Sequence, residues 1–232
     1  MLEAIDLTKK FGDFIALKSL NLTIKEGEIF CLLGANGAGK STTINLFLNF
    51  IDATHGKAMI NNMDVSKHKE TKQLLSYIPE NLMLYKNLSG LENLRFFCGL
   101  GGGNQSKGEL EELLEQSGLQ IDFIHKRVSS YSKGMRQKVG IALARARGAK
   151  VLLLDEPTSG LDPKASNEFS ELLLNMKEKG VTTLMATHDL FRAKDTGTHI
   201  GIMKEGMLLE KFESKDVSFQ DLEKLYLKHM HN

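Results

Sequence analysis

No apolar run in the 232 residues approaches the ~18 needed to cross a bilayer, so nothing in the chain reads as a membrane span. The first residues also lack the pattern of a leader. Met1-Leu2-Glu3-Ala4-Ile5-Asp6 has neither a basic start nor an apolar stretch, which predicts a chain without a signal peptide. Cysteine is scarce: Cys31 and Cys98 are the two, each in an apolar context, which excludes a disulfide framework and predicts reduced core thiols. The three prolines, Pro79, Pro157 and Pro163, are scattered, and there is no Pro-rich linker, low-complexity tract or internal repeat. Charge of one sign is not in excess, with 30 Lys and Arg against 29 Asp and Glu. Bulk attraction to nucleic acid or to an anionic membrane is thereby excluded as the main business of the chain. The expectation is a protein of a reducing compartment, with 41% hydrophobic residues to build a core.

What is present is a sequence of two strand types. Leu20, Leu22 and Ile24 alternate with polar residues, as in an antiparallel strand with one wet face. Ile29 to Leu33, Val151 to Leu154, Leu184 to Ala186 and Ile200 to Met203 are short continuous apolar runs. Those suit a parallel sheet covered on both faces. Helix signals lie between them: Asp162-Pro163 before the stripe Phe169, Leu172, Leu173, Met176, with Gly180 as a stop. Ser106 and Glu109 form a capping box before Leu110, Leu113 and Leu114, ended by Gly118. Ser218 and Asp221 open a last helix with Phe219, Leu222, Leu225 and Tyr226 on one side. Gly99 to Gly103 reads as a flexible loop. Residues 82 to 147 show helices without a good strand, which predicts a helical subdomain inserted into an α/β core of one domain, residues 1–232.

Gly34-Ala35-Asn36-Gly37-Ala38-Gly39-Lys40-Ser41 follows the first apolar run and leads into a helical stretch starting with Thr42. Chance would supply this pattern in on the order of 1% of chains this long. Its chemistry is that of a phosphate loop. Glycines let backbone N–H groups turn inward around an anion, and the following helix aims its positive end at the same place. Lys40 adds a point charge for the β- and γ-phosphates, and Ser41 offers a hydroxyl to Mg²⁺. The run Val151 to Leu154 ends in Asp155 and Glu156, where open α/β sheets place ligands. Asp155 is the candidate Mg²⁺ holder and Glu156 the base that polarises the attacking water. Thr187-His188-Asp189 follows another strand, and His188 is a candidate donor to the γ-phosphate.

In this order the pieces resemble the nucleotide-binding domain of an ABC (ATP-binding cassette) protein, over essentially the whole chain. The resemblance rests further on Tyr131-Ser132-Lys133-Gly134-Met135-Arg136-Gln137, similar to the family's signature motif. Ser159-Gly160-Leu161-Asp162 looks like its D-loop, and Tyr77-Ile78-Pro79-Glu80 sits where the family has its Q-loop. It implies a phosphate-loop NTPase (RecA-like) core with a mostly parallel sheet, an antiparallel β-subdomain and an inserted helical subdomain. It implies stacking of adenine on Phe11, and ATP and Mg²⁺ as ligands. The nucleotide set would be Gly34 through Thr42, together with Ser132, Gly134 and Asp162 acting on the nucleotide of a second cassette, identical or different, packed head to tail. Glu156 and His188 would be catalytic, and Ser41, Glu80 and Asp155 would hold the metal.

Two departures from the commonest pattern stand out. Lys133 and Met135 replace a glycine and the glutamine of Leu-Ser-Gly-Gly-Gln, and Glu80 replaces the Q-loop glutamine. Both resemble the subgroup serving ABC-2-type exporters. The expected role is therefore the ATPase subunit of an exporter, peripheral on the cytoplasmic face of the cell membrane and docked on a separate permease through the surface between the Q-loop and residues 82 to 100. The alternative is a stand-alone cytosolic cassette assisting cofactor or complex assembly. Translation-factor and chromosome-maintenance ATPases would need a second cassette or long coiled coils. The eight basic residues between positions 126 and 150 are read as the flank of a phosphate-rich interface, with no nucleic-acid partner expected.

Overall fold

The computed structural model describes residues 1–231. In chain order the elements are β1 (Leu2–Phe11), β2 (Phe14–Ile24), β3 (Ile29–Leu33), α1 (Lys40–Phe47), β4 (His55–Ile60), β5 (Met63–Asp64), α2 (Thr71–Leu74) and β6 (Leu75–Ile78). The helical stretch follows: α3 (Gly90–Leu100), α4 (Lys107–Gln116), α5 (Ile121–Ile124) and α6 (Lys133–Ala146). The chain then continues through β7 (Val151–Asp155), α7 (Pro163–Glu178), β8 (Thr182–Thr187), α8 (Leu190–Thr196), β9 (His199–Lys204), β10 (Met207–Glu213) and α9 (Phe219–His231).

Two sheets form. One is antiparallel in the order β2-β1-β4-β5; the other runs β10-β9-β3-β8-β7-β6 and is parallel throughout except for β10. The continuous apolar runs have a direct cause: both faces of the larger sheet are covered. Phe30 and Leu32 of β3, with Leu153 of β7 and Leu184 of β8, pack under α1 and the antiparallel sheet. Ile29, Cys31 and Leu33, with Leu152, Leu154 and Met185, pack under α6 to α9. Both cysteines are free and buried, Cys31 in this second layer and Cys98 among the helices.

The helices α3 to α6 close a third core around Leu94, Leu110, Leu114 and Tyr131. α6 belongs to two cores at once, giving Val139 and Ala142 to the helical cluster and Ile141 and Ala144 to the sheet. It therefore packs against both parts and links them.

Two local expectations need correction. Gly99 is not loop but the penultimate residue of α3, while Gly101 and Gly103 are wound into turns by N–H donation to the Cys98 carbonyl. Phe219 is not on the buried stripe of α9; it is the first residue, 40% exposed, and meets Phe191 edge-on at 6.3 Å. Ser218 does open that helix, accepting from the Asp221 N–H at 3.1 Å.

Sheet register fixes the site. β3, β8 and β7 are neighbours, with Leu33 opposite Thr187 and Asp155 opposite Ala186. The segments after all three strands therefore emerge side by side at the carboxyl edge. The Gly34 N–H donates to Thr187 O at 3.3 Å and the Glu156 N–H to Ala186 O at 2.9 Å.

Candidate functional site

The loop after β3 turns on Gly39, whose φ of 106° is in the left-handed region and whose Cβ, if it had one, would lie 2.8 Å from Ala16 O. An alanine there would be both strained and crowded. Gly37, with φ of 82°, borders open space where a phosphate can approach the backbone. α1 starts at Lys40, so its free N–H groups and dipole point at the loop. The Lys40 side chain is buried and donates to Gly34 O at 2.5 Å and Ala35 O at 3.2 Å, with the Glu156 carboxylate 3.4 Å away.

The two acids after β7 are held differently. Asp155 accepts from the Ser41 hydroxyl at 3.1 Å. Burial pushes its carboxyl above the ordinary value; the Ser41 hydrogen bond opposes this, and the nearby Glu156 charge adds to it. Glu156 sits in a left-handed backbone conformation, φ 48°, unusual for a residue with a side chain. One of its oxygens, Oε2, lies 2.9 Å from His188 Nδ1 and accepts from the His188 N–H at 3.3 Å. The other, Oε1, is buried, makes no hydrogen bond and lies 3.4 Å from the Lys40 ammonium. His188 and Lys40 thus hold the carboxylate from both sides at the edge of the phosphate loop.

Phe11 and Phe14 close the hairpin of β1 and β2 as a register pair and border the same cleft as the phosphate loop, Glu80, Asp155 and Glu156. Phe11 is 49% exposed, and Lys9 Nζ lies 4.8 Å from its ring centre, which occupies one face and leaves the other for a flat ligand. Phe14, 65% exposed, was not singled out in the sequence. Its signal there was only an aromatic three residues after Phe11. Ser41, Asp155 and Glu80 offer oxygen donors alone, the set a hard divalent cation takes. Among the described residues no cluster of three or more His, Cys, Asp or Glu could hold a metal without other ligands. Such a centre needs phosphate oxygens and water to complete it.

Ser132, Gly134 and Asp162 are not in that cleft. They border a separate one between the start of α6 and the start of α7. Ser132 caps α6 by accepting from the Met135 N–H at 3.2 Å, and Asp162 caps α7 by accepting from Ala165 at 2.9 Å. Both helix starts open onto that cleft, whose N–H groups favour an anion.

The basic stretch after position 126 is largely tied down within the chain. Arg136 donates to Tyr131 O at 2.7 Å, Lys138 to Glu168 at 2.6 Å, Arg145 to Gln116 O at 2.9 Å and Arg147 to Lys72 O at 3.2 Å. Gln137, which the sequence offered only as the end of the signature-like segment, is buried and donates to Pro79 O and Glu80 O, both at 3.3 Å.

A phosphate loop facing a neighbouring strand that ends in two acids, on one carboxyl edge of a parallel sheet, defines a phosphate-loop nucleoside triphosphatase. The chain belongs to the ABC transporter family, whose model matches residues 17–159. It is 37% identical over 223 residues to the probable multidrug ABC transporter ATP-binding protein YbhF of Escherichia coli (strain K12), covering 95% of this chain and 38% of that one. It is 36% identical over 232 residues to the bacitracin transport ATP-binding protein BcrA of Bacillus licheniformis, covering 99% of this chain and 74% of that one. The chain thus spans well under half of the first relative and about three quarters of the second. Among solved structures, an ATP-binding cassette captured as a dimer in a post-hydrolysis state with ADP and Pi superposes with a TM-score of 0.81. That cassette is 29% identical, and the match covers 92% of this chain and 99% of that one.

Proposed function

We propose that the chain is an ATP-binding and ATP-hydrolysing cassette that drives a membrane transporter of the ABC-2 exporter type. The observation that carries this is the Glu156 carboxylate. One oxygen is held by His188, and the other lies buried 3.4 Å from the Lys40 ammonium, which a bound phosphate would draw away. The oxygen so freed would be the general base at the edge of the phosphate pocket.

ATP would lie with its phosphates in the loop 34–41 and on the first turn of α1, with its base against the free face of Phe11. Ser41, Asp155 and Glu80 would hold Mg²⁺, which when bound would supply charge neutralisation to the phosphate oxygens. Glu156 accepts the proton of a water whose oxygen bonds to the γ-phosphorus, while the bond from that phosphorus to the β-γ bridging oxygen breaks. The products are ADP and phosphate. His188 orients Glu156 through Nδ1, which leaves Nε2 for the γ-phosphate.

Ser132, Gly134 and Asp162 lie outside the phosphate cleft of their own chain, which supports their use on the nucleotide of a second cassette. ATP then joins two cassettes, and hydrolysis releases them.

The transporter reading is supported by the relatives' names, one for bacitracin transport and one for probable multidrug transport. Among the described residues no helix is long and apolar enough to cross a membrane. That is compatible with a membrane path supplied by other sequence, with this chain as a cytoplasmic, membrane-peripheral cassette bound to a permease. The docking surface we assign is the exposed aromatic patch of residues 82–100. Tyr85 meets Phe96 edge-on at 5.0 Å there, and Met83, two positions before Tyr85, is 76% exposed. Affinity capture of the tagged chain from gently solubilised native membranes tests this. A polytopic membrane protein recovered with it supports the reading. Reproducible recovery of soluble proteins alone would replace the transporter with an assembly factor and leave the ATPase in place.

A further inference from the structure

The two departures from the commonest pattern touch each other. Lys133 Nζ, on the first turn of α6, lies 3.5 Å from Glu80 Oε1, and the Ser159 hydroxyl donates to the same oxygen at 3.2 Å. One carboxylate oxygen thus joins the segment after β6, the start of α6 and the turn after β7. Lys133 and Gln137 are four residues apart, on one face of the helix. Gln137 grips the Pro79 and Glu80 carbonyls from within the protein, so α6 holds Pro79-Glu80 by backbone and by side chain.

Glu80 also borders the phosphate cleft, and its charge is felt by Asp155. It therefore faces two cation positions, the Lys133 ammonium and the metal centre formed with Ser41 and Asp155, and one side chain cannot serve both in full. We propose that Lys133 and Glu80 form a charge latch that competes with the metal–nucleotide site for the Glu80 carboxylate. When the latch is closed, the helical part is held to the core. When Glu80 turns to the metal, Lys133 is freed beside Ser132 and adds its charge to the anion-binding start of α6. A glutamine and a glycine at these two positions could not form such an ion pair. The latch rests on the nucleotide site proposed above.

The pair is half exposed on the Glu80 side, so the bias is modest, about two- to fivefold in an equilibrium constant. Binding that requires the unlatched form is weakened by that factor, and binding that does not is untouched. The quantity to read is the ratio of ATP Kd in EDTA to ATP Kd in Mg²⁺. It is measured by titration at protein concentrations where sedimentation shows a single cassette, for wild type, Lys133→Met, Glu80→Gln and the double variant. Lys133→Met should raise the ratio two- to fivefold in the wild-type background and leave it unchanged in the Glu80→Gln background. Lys133→Arg should stay near wild type, and 0.5 M NaCl should remove most of the difference. In parallel, melting of the nucleotide-free variants should be non-additive. A ratio equal across all four proteins, or a Lys133→Met effect of the same size in both backgrounds, overturns the latch while leaving the nucleotide site standing. A wild type that binds no ATP in either buffer overturns the nucleotide site and the latch together.

Discussion

At the residue scale, Glu156 carries the sharpest expectation. Glu156→Gln keeps the shape but removes the proton acceptor, so ATP affinity should persist while turnover falls by about 10²–10⁴-fold, measured as phosphate release at saturating ATP. Hydrolysis at the wild-type rate would refute the assignment of the base. Lys40→Ala should abolish nucleotide binding. For Phe11→Ala the loss of a stacking face of about 1–3 kcal/mol predicts an ATP Kd higher by roughly five- to 150-fold, with little change in saturated turnover. Asp155 gives a pH signature. Its folded carboxyl titrates above the reference value of 3.8, so the folded chain binds that proton more tightly than the unfolded chain does. The ionised form therefore costs stability, a cost absent below the unfolded value and complete once pH exceeds the raised one. Asp155→Asn should melt higher than wild type near neutrality without nucleotide or metal, and the gap should close as pH falls toward about 4. A gap that widens on acidification would mean that the carboxylate is stabilised, not penalised, where it sits.

At the element scale the caps separate stability from site chemistry. Ser132 caps α6 at the cleft proposed to meet the nucleotide of a second cassette; Ser106, which does not line that cleft, caps α4 in a reciprocal pair with Glu109. Alanine at either should cost about 1 kcal/mol, about 2–4 °C in melting temperature. Only Ser132→Ala should also reduce ATP turnover. Equal turnover in both would leave Ser132 a cap and nothing more.

Elements also differ in how visible they were beforehand. β3, β7, β8 and β9 were legible because burial on both faces writes a continuous apolar run, and the caps at Ser106 and Asp162 because capping is local chemistry. β6 was not, since its four residues include a buried serine and it is held by β7, whose paired residues lie 76 positions away. β1, β4 and β10 escaped for a related reason, being bulged or partly exposed strands without clean alternation. In the site, the phosphate loop, the two acids and His188 were readable as motifs. The grips of Lys133 and Gln137 on Pro79-Glu80 were not, because they link positions more than 50 residues apart and exist only after packing.

At the scale of the whole molecule, the chain presents the phosphate cleft in one place and the cleft of Ser132, Gly134 and Asp162 in another. In the proposed pairing, Glu156→Gln with ATP and Mg²⁺ should sediment as a dimer and revert to single cassettes on nucleotide removal. Persistently single cassettes under those conditions would count against the pairing. Charged substitutions at Met83, Tyr85 and Phe96 should uncouple ATP hydrolysis from transport without altering ATP affinity, since these exposed side chains lie outside the phosphate cleft.

The separation of the two clefts has a consequence for mixtures. A chain crippled by Lys40→Ala still offers a sound start of α6, and a chain crippled by Ser132→Ala and Gly134→Asp still offers a sound phosphate loop. Neither population should turn over ATP alone. Mixed in equal amounts, random pairing makes half of the dimers hybrid, and each hybrid assembles one wholly intact centre and one doubly defective centre. Two inactive preparations should therefore complement each other to about a quarter of the wild-type rate per chain, if each centre fires independently. If the two centres must fire together, the same mixture stays silent, and a single defective allele would poison its healthy partner in the cell.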